Sequence, residues 1–214
     1  MGLRINIGCG HTPTEGWRNF DNTPAIKLAR SPLRYSVARL LGLLDKAQVE
    51  NIEWNRRNSL EFADATKHIP LPDESVSCIY TSHMFEHLSK EGGRKFLGEA
   101  LRVLESGGVL RISVPDLRKA VDSYLEDSDA DRFIESLHVA APPVITTRQK
   151  VRLFFAGYRH HQWMYDGSSL ANLMRNMGFR NVTIQEPGNT LIRSPGALNL
   201  SERIEESVYV EGVK

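Results

Sequence analysis

The sequence predicts an α/β protein, a largely parallel sheet with helices on both faces. Three observations predict it. Short apolar runs rich in sheet-forming residues recur along the chain, and segments with apolar residues at helical spacing alternate with them. The first run, Leu3 to Ile7, ends in Gly8-Cys9-Gly10, which reads as a buried strand turning into a tight loop.

The elements follow in order. Trp17 to Phe20, closed by Asp21-Asn22, is the second strand; Leu60 to Ala63, closed by Asp64, is the third; Val76 to Thr81 is the fourth. Phe96, Leu97, Ala100, Leu101 and Leu104 mark an amphipathic helix that Gly107-Gly108 should stop, and Val109 to Val114 then forms a strand ended by Pro115. Leu170, Leu173, Met174 and Met177 mark a further helix with Gly178 as its stop. Val182 to Gln185 and Ser207 to Val213 are the last strands, able to pair as a hairpin across the intervening loop. Two segments, 23–59 and 117–165, stand outside this skeleton as inserts in a single domain spanning 1–214.

Composition excludes several classes. Lys plus Arg (27) nearly balances Asp plus Glu (26) in 214 residues, so no global field announces a nucleic-acid partner. Cys9 and Cys78 lie in apolar stretches, as reduced core thiols do, rather than in a disulfide framework. No apolar run approaches the roughly 20 residues that span a bilayer. Strand-like sequence from Leu3 leaves no room for a signal peptide, so the expectation is a cytoplasmic protein.

In an open parallel sheet, ligands bind beyond the carboxyl ends of the strands. Gly8 and Gly10 let the backbone approach a ligand closely. Asp21, ending the second strand, is placed to accept two hydrogen bonds from ribose hydroxyls, and Asp64-Ala65, ending the third, to meet an adenine edge. A dinucleotide-binding dehydrogenase would require Gly-x-Gly-x-x-Gly and a helix, with an acidic residue about 20 positions on. Here position 13 is Pro13, and only ten residues separate Gly10 from Asp21, too few for a normal crossover helix plus strand.

The stretches INIGCG (5–10), FADATKHIPLPDESVSCIYTSHMFEHL (62–88), LRVLESGGVLRISVPD (101–116) and LANLMRNMGFRNV (170–182) resemble the class I S-adenosylmethionine-dependent methyltransferases, in particular the small-molecule and sugar-type group. The resemblance implies a Rossmann-like, doubly wound sheet of seven strands in the order 3-2-1-4-5-7-6, the last antiparallel. The spacing after Gly10 implies a first helix shortened to a turn. The resemblance also implies S-adenosyl-L-methionine as cofactor and S-adenosyl-L-homocysteine as product. By it, Gly8, Cys9 and Gly10 meet the methionine and ribose portions, Asp21 the ribose hydroxyls, Asp64 and Ala65 the adenine, and Ser82 and His83 the methionyl end. Asn6, where the family often has an acidic residue, and Asn22 belong to the same constellation. Thr12 stands where the family often has a third glycine.

His83-Met84-Phe85-Glu86-His87 places two histidines four apart, on one face if the segment is helical. The inverted zinc-protease pattern His-x-x-Glu-His matches too, but it requires a protease scaffold. Three roles remain: a neutral histidine as base, a structural contact through His87, or a divalent metal held by His83, Glu86, His87 and His160 or His161. The last arrangement is similar to the Glu-x-x-Glu-His sites of metal-dependent small-RNA and ubiquinone-pathway O-methyltransferases, with His83 replacing the first glutamate; the principal reading carries no metal. His83, His160 and His161 are the candidate catalytic residues.

Arg159-His160-His161-Gln162-Trp163-Met164-Tyr165 gathers donors and aromatic faces suited to an acceptor, with Trp163 expected to anchor the turn to the core. From Pro24 to Leu44 the chain carries Lys27, Arg30, Arg34 and Arg39 and no acidic residue, with Val37, Leu40, Leu41 and Leu44 at helical spacing. That stretch is either a helix packed on the core with a solvated basic side, an acceptor lid, or a peripheral membrane contact. Arg148, Lys150, Arg152 and Arg159 add a second basic run, and together the two favour an anionic acceptor. The leading expectation is O-methylation of a small molecule, with a sugar, nucleotide-sugar or glycan acceptor favoured. The alternatives are methylation of RNA or of a quinone-type phenol, possible with a metal, and a non-catalytic cofactor-binding partner subunit. Oligomeric state has no sequence signal.

Overall fold

The computed structural model describes residues 2–140 and 160–214. Seven strands form one sheet in the order β3-β2-β1-β4-β5-β7-β6. The strands are β1 (Leu3–Ile7), β2 (Arg18–Asp21), β3 (Glu61–Phe62), β4 (Val76–Ser82), β5 (Leu104–Pro115), β6 (Arg180–Gln185) and β7 (Ser207–Val213). Strands β1 to β5 pair in parallel, while β7 runs antiparallel to both β5 and β6. Order and directions agree with the expectation, including the hairpin of the last two strands.

The helices are α1 (Pro24–Ala29), α2 (Pro32–Leu40), α3 (Lys46–Arg57), α4 (Lys90–Val103), α5 (Leu117–Asp127), α6 (Ala130–Ser136) and α7 (Gly167–Met177). Phe96, Leu97, Ala100 and Val103 of α4 join Leu170, Ala171 and Met174 of α7 in the main core, against Ile5, Ile79, Leu110 and Val210 of the sheet. The 3.6-residue spacing of these side chains turns one stripe of each helix to the strands. Asp166 caps α7 by accepting from the Ser169 amide, and Gly178 closes it in the left-handed conformation at φ 110°.

One boundary differs from the expectation. Helix α4 ends at Val103, before Gly107-Gly108, and β5 already begins at Leu104. Leu104 is fully buried and registers with Val76, so tertiary pairing overrides the helical spacing that Leu104 shares with Leu101. Gly107, at φ 80°, serves as an irregularity in the long strand instead of a helix stop.

The β5–β7 pairing carries a fully buried ion pair. Arg111 Nη1 donates to Glu211 Oε1 at 2.7 Å, with both side chains at 0% exposure. Arg111 also donates to the Asn189 and Leu200 carbonyls at 2.9 and 2.8 Å, while Glu211 accepts from Thr190 Oγ1 and the Leu191 amide, both at 2.6 Å. The pair therefore pins the long β6–β7 connection to the sheet and satisfies every oxygen of the carboxylate.

Insert 23–59 folds into α1 to α3. Tyr35, Ile52 and Ala29 form its own small core, and Ile26 packs with Cys9 and Leu60. The helical stripe expected from Val37, Leu40 and Leu41 exists but faces outward: Leu33 is 76%, Leu40 87% and Leu41 64% exposed. Only Tyr35 of α2 is buried, where its ring joins Ile52 and its hydroxyl donates to Glu53 of α3 at 2.9 Å. Among the described residues, no helix is long and apolar enough to cross a membrane.

Candidate active site

Because β1 to β5 are parallel, everything that follows their last residues lies along one edge of the sheet. Gly8–Gly10, Asp21, Asp64, Ser82–His83 and Asp116 are brought to that edge.

The loop after β1 turns without a helix. The Gly8 and Cys9 amides both donate to the Phe20 carbonyl, at 2.8 and 3.2 Å. Gly8 sits at φ 70°, and a Cβ there would lie 2.4 Å from Met84 Cγ, so only glycine fits. Gly10, at φ 49°, differs: a Cβ would meet nothing within 4 Å. Its exposed backbone fronts an open cradle.

Asp21 closes this cradle from β2. Its Oδ2 accepts the Gly10 amide at 3.1 Å and its Oδ1 the Thr23 amide at 2.8 Å, so the carboxylate fixes the loop and keeps lone pairs toward solvent. Asn22 beside it is exposed. Asn6 is buried, and its amide donates to Thr14 Oγ1 at 3.1 Å and the Thr12 carbonyl at 3.4 Å; it shapes the loop from within. Asn19 adds a second brace, accepting from the Thr14 amide and donating to the Thr14 and Trp17 carbonyls. Cys9 points into the apolar cluster with Ile26 and Leu60, and burial, helped by the Asp21 charge, pushes its thiol up to about 12. It is an inert packing thiol at neutral pH.

At the end of β3, Asp64 Oδ1 accepts from Thr66 Oγ1 at 2.7 Å and Oδ2 pairs with Lys67 at 2.8 Å. Burial opposes ionisation there, but the Lys67 and Thr66 bonds outweigh it and hold the carboxyl below its usual range. Ala65 is buried in the main core.

The segment after β4 corrects the expectation of a helical face. His83 adopts the left-handed conformation at φ 48°, and its amide donates to the Ser113 carbonyl of β5. Only then does a single 3-10 turn, Phe85–His87, follow. The sheet, reaching across from β5, therefore decides the backbone at His83, at a cost of about 1–2 kcal/mol for a side chain in this region. The result brings His83 and His87 toward the same oxygen of Glu86 without a helical i, i+4 face.

Around Glu86 the polar groups are dense. His83 Nε2 is 2.8 Å from Ser207 Oγ, and His83 Nδ1 is 3.5 Å from Glu86 Oε1 and 3.4 Å from Arg203 Nη1. His161 Nε2 and His87 Nε2 lie 3.9 and 4.0 Å from the same Glu86 oxygen. Burial, then the Arg203 and neighbouring imidazole charges, lower His83 to about 4; burial and His87 do the same for His161. Burial raises Glu86 to about 7. His160 contributes its carbonyl, 3.2 Å from His87 Nδ1.

Trp163 also departs from the expectation. It is 42% exposed with Lys90 Nζ 4.9 Å from its ring, and Tyr165 is the buried anchor, against Phe85 at 5.2 Å between ring centroids. Arg148, Lys150, Arg152 and Arg159 lie outside the described residues.

The shortened first helix already drew His11 to Glu15 toward the site in the sequence, but the contact of His11 with α3 and the residues before β7 escaped sequence reasoning. His11 stacks edge-on against Trp54 at 4.5 Å and contacts Asn51 at 3.0 Å, which brings α3 beside the loop after β1. Ser207, Arg203 and Glu206 come from the approach to β7. A signal existed for Ser207: an antiparallel last strand must begin at the edge where β5 ends, and Ser207 registers with Pro115. A cavity of about 220 Å³ opens at the same edge, with walls that include Asp116, Lys119, Tyr124, Arg132, Met164 and Glu206.

Comparisons with known proteins agree with this geometry. The model of the methyltransferase domain family matches residues 32–112. A SAM-dependent methyltransferase from Thermotoga maritima, described as a possible histamine N-methyltransferase, aligns over 100% of this chain and 83% of its own at 16% identity and TM-score 0.50. A SAM-dependent methyltransferase from Archaeoglobus fulgidus aligns over 100% of this chain and 86% of its own at 14% identity and TM-score 0.50. At these identities the structural likeness speaks for the fold. No curated protein matches the chain. The family match over residues 32–112, the strand order and the glycine loop at the carboxyl edge support an S-adenosylmethionine-dependent methyltransferase on a Rossmann-like fold.

Proposed function

We propose that the chain O-methylates a small polyhydroxylated acceptor, a sugar, nucleotide-sugar or glycan. The observation that carries this reading is the mixed cavity at the carboxyl edge, where Asp116, Glu206 and Tyr124 offer hydrogen-bonding groups and Phe133 and Met164 an apolar face for a ring. Sugar hydroxyls find acceptors there, whereas a quinone-type phenol favours apolar walls. Lys119 already donates to the Ile204 and Ser207 carbonyls and Arg132 to Asp127. An anionic group on the acceptor would meet Lys27, Arg30, Arg34 and Arg39 of the first insert, of which Arg30 also donates to the Leu60 carbonyl.

Gly8, Cys9 and Gly10 would hold the methionine and ribose portions of the donor, Asp21 and Asn22 the ribose, Asp64 and Ala65 the adenine, and Ser82 and His83 the methionyl end. The open space before Gly10 fits that assignment. The bound donor supplies a methyl group already activated on a sulfonium, so the chain has mainly to align an in-line displacement. His83, whose Nε2 is 2.8 Å from Ser207 Oγ, takes the proton of the acceptor hydroxyl. His161 lies behind it against Glu86 and acts as a positioning residue, as does His160 through its carbonyl. The two inserts form the acceptor lid of a single domain. The contacts of His11 with α3 and those of residues 161–163 with the turn after β4 support that arrangement.

The outward leucines of α2, set among arginines, support a peripheral contact with an anionic membrane surface. The main test is an acceptor panel with purified protein, measuring S-adenosylhomocysteine. Release with sugars or nucleotide-sugars is expected, with turnover of His83→Ala reduced about 100-fold or more and donor affinity retained. Release only with RNA or phenols, or only with a partner protein present, refutes the reading.

A further inference from the structure

Glu86 is 1% exposed, yet neither carboxylate oxygen accepts a hydrogen bond among the described residues. A buried carboxyl without donors is costly to ionise, and a positive partner is what would hold it as a carboxylate. The imidazole nitrogens facing Oε1 stand at 3.5 Å (His83), 3.9 Å (His161) and 4.0 Å (His87). These distances exceed the hydrogen-bond range of about 2.7–3.2 Å. For His161 and His87 they stand about 0.6–0.7 Å above the ~3.3 Å that separates donor atoms around a tetrahedral ion with bonds of about 2.0–2.1 Å, so a bound ion would draw the groups slightly together. Glu86, His87 and His161 each offer one donor atom, all within 4.8 Å of one another.

The ring of His87 is oriented for this task. Its Nδ1 contacts the His160 carbonyl, and a carbonyl only accepts, so Nδ1 carries the proton and Nε2 presents a lone pair toward Glu86. A ligand imidazole typically has this second-sphere partner. The backbone presets the remaining geometry. The Gln162 and Trp163 amides donate to the Glu86 carbonyl at 2.8 and 3.2 Å, and the His161 amide to the His138 carbonyl at 2.9 Å. Gln162 Nε2 donates to the His87 carbonyl at 2.7 Å.

We propose that Glu86, His87 and His161 bind one divalent transition-metal ion of the zinc class, with water at the fourth position, clipping residues 160–165 to the loop after β4. Two imidazoles and a carboxylate suit zinc or cobalt, whereas magnesium and calcium take all-oxygen sites. His83 stays outside the set, since its Nε2 is bonded to Ser207. The site does not depend on the acceptor's identity.

The test uses untagged full-length protein stripped with a chelator, desalted, and titrated with Co²⁺ by visible absorption and with Zn²⁺ by calorimetry. One ion per chain, the intense bands of four-coordinate cobalt and a melting temperature raised by several degrees with zinc are expected. Glu86→Gln, His87→Gln and His161→Ala should each weaken zinc at least 100-fold, and His68→Gln should not. Circular dichroism confirms that each variant is folded, and three separate ligand variants keep the test decisive if one does not fold. Binding well below one ion per chain, or zinc affinity unchanged in the folded ligand variants, overturns the proposal.

Discussion

Alanine at Gly8 and at Gly10 should separate folding from cofactor binding, because the two glycines have the same backbone hand and different surroundings. Both have positive φ, 70° and 49°, so alanine costs about 1–2 kcal/mol at either position through backbone strain. At Gly8 the new Cβ also meets Met84 Cγ at 2.4 Å and Met84 Cβ at 2.7 Å. Met84 Cβ is fixed to the backbone, so the loop after β4 must shift, adding about 1–3 kcal/mol of overpacking. At Gly10 nothing lies within 4 Å, and strain is the whole folding cost. With about 2–4 °C per kcal/mol for a domain of this size, Gly10→Ala should melt about 2–8 °C lower and Gly8→Ala about 4–20 °C lower. The Gly10 methyl group instead intrudes on the cradle, so Gly10→Ala should weaken S-adenosylmethionine at least tenfold, about 1.4 kcal/mol. Differential scanning fluorimetry without ligand, followed by calorimetry with S-adenosylmethionine, reads both quantities. Gly10→Ala binding the cofactor within twofold of the parent protein would refute the placement of the donor against this loop.

Other outcomes follow from the same structure. Glu211→Ala leaves Arg111 buried and uncompensated and should cost about 3–5 kcal/mol by chemical denaturation. The double variant Arg111→Met with Glu211→Leu should recover much of that loss, and a single variant within 1 kcal/mol of the parent protein contradicts the account. The Arg18 bond depresses Glu61, the Arg102 bond depresses Glu99, and the Ser169 amide depresses Asp166. Folded values below unfolded ones give stability that is present above about pH 4 and lost as pH falls through the folded values. Denaturation curves from pH 7 to pH 3 should show this fall, and it should flatten in Glu61→Gln/Glu99→Gln; an unaltered slope rejects those two as its source. Vesicles containing anionic phosphatidylserine should retain the protein in sedimentation, and Leu40→Glu/Leu41→Glu should abolish retention. Equal retention of the variant, or none for the parent protein, removes the membrane contact.

Much of the fold was legible because local and tertiary signals agree. The run Leu3–Ile7 into Gly8-Cys9-Gly10, and the acidic residues closing β2 and β3, are positions where strand pattern and loop chemistry point the same way. The shortage of residues between Gly10 and Asp21 correctly indicated that no helix forms there. Failures came where distant partners decide. His83 takes its conformation from β5, so the spacing of His83 and His87 misled. Leu104 follows helical spacing and still belongs to a strand. The stripe on α2 has the period of a buried face, but nothing in the described structure covers it, and periodicity alone cannot tell which side a domain lies on. The clustering at Glu86 was half visible: the motif named Glu86 and His87, while only the fold could choose between His160 and His161.

The helix-free turn between β1 and β2 has a consequence for what the loop rejects. Dinucleotide-binding relatives of this architecture seat a pyrophosphate on the positive end of a helix that begins at the glycine loop. Here Thr12, Thr14 and Asn19 brace the loop by side-chain bonds, so no aligned peptide dipoles point at the ligand. Phosphate anions lose that attraction, whereas a cationic sulfonium never needed it. With the donor seated as proposed, discrimination against nucleotide coenzymes would come from leaving out a macrodipole, without any repulsive side chain.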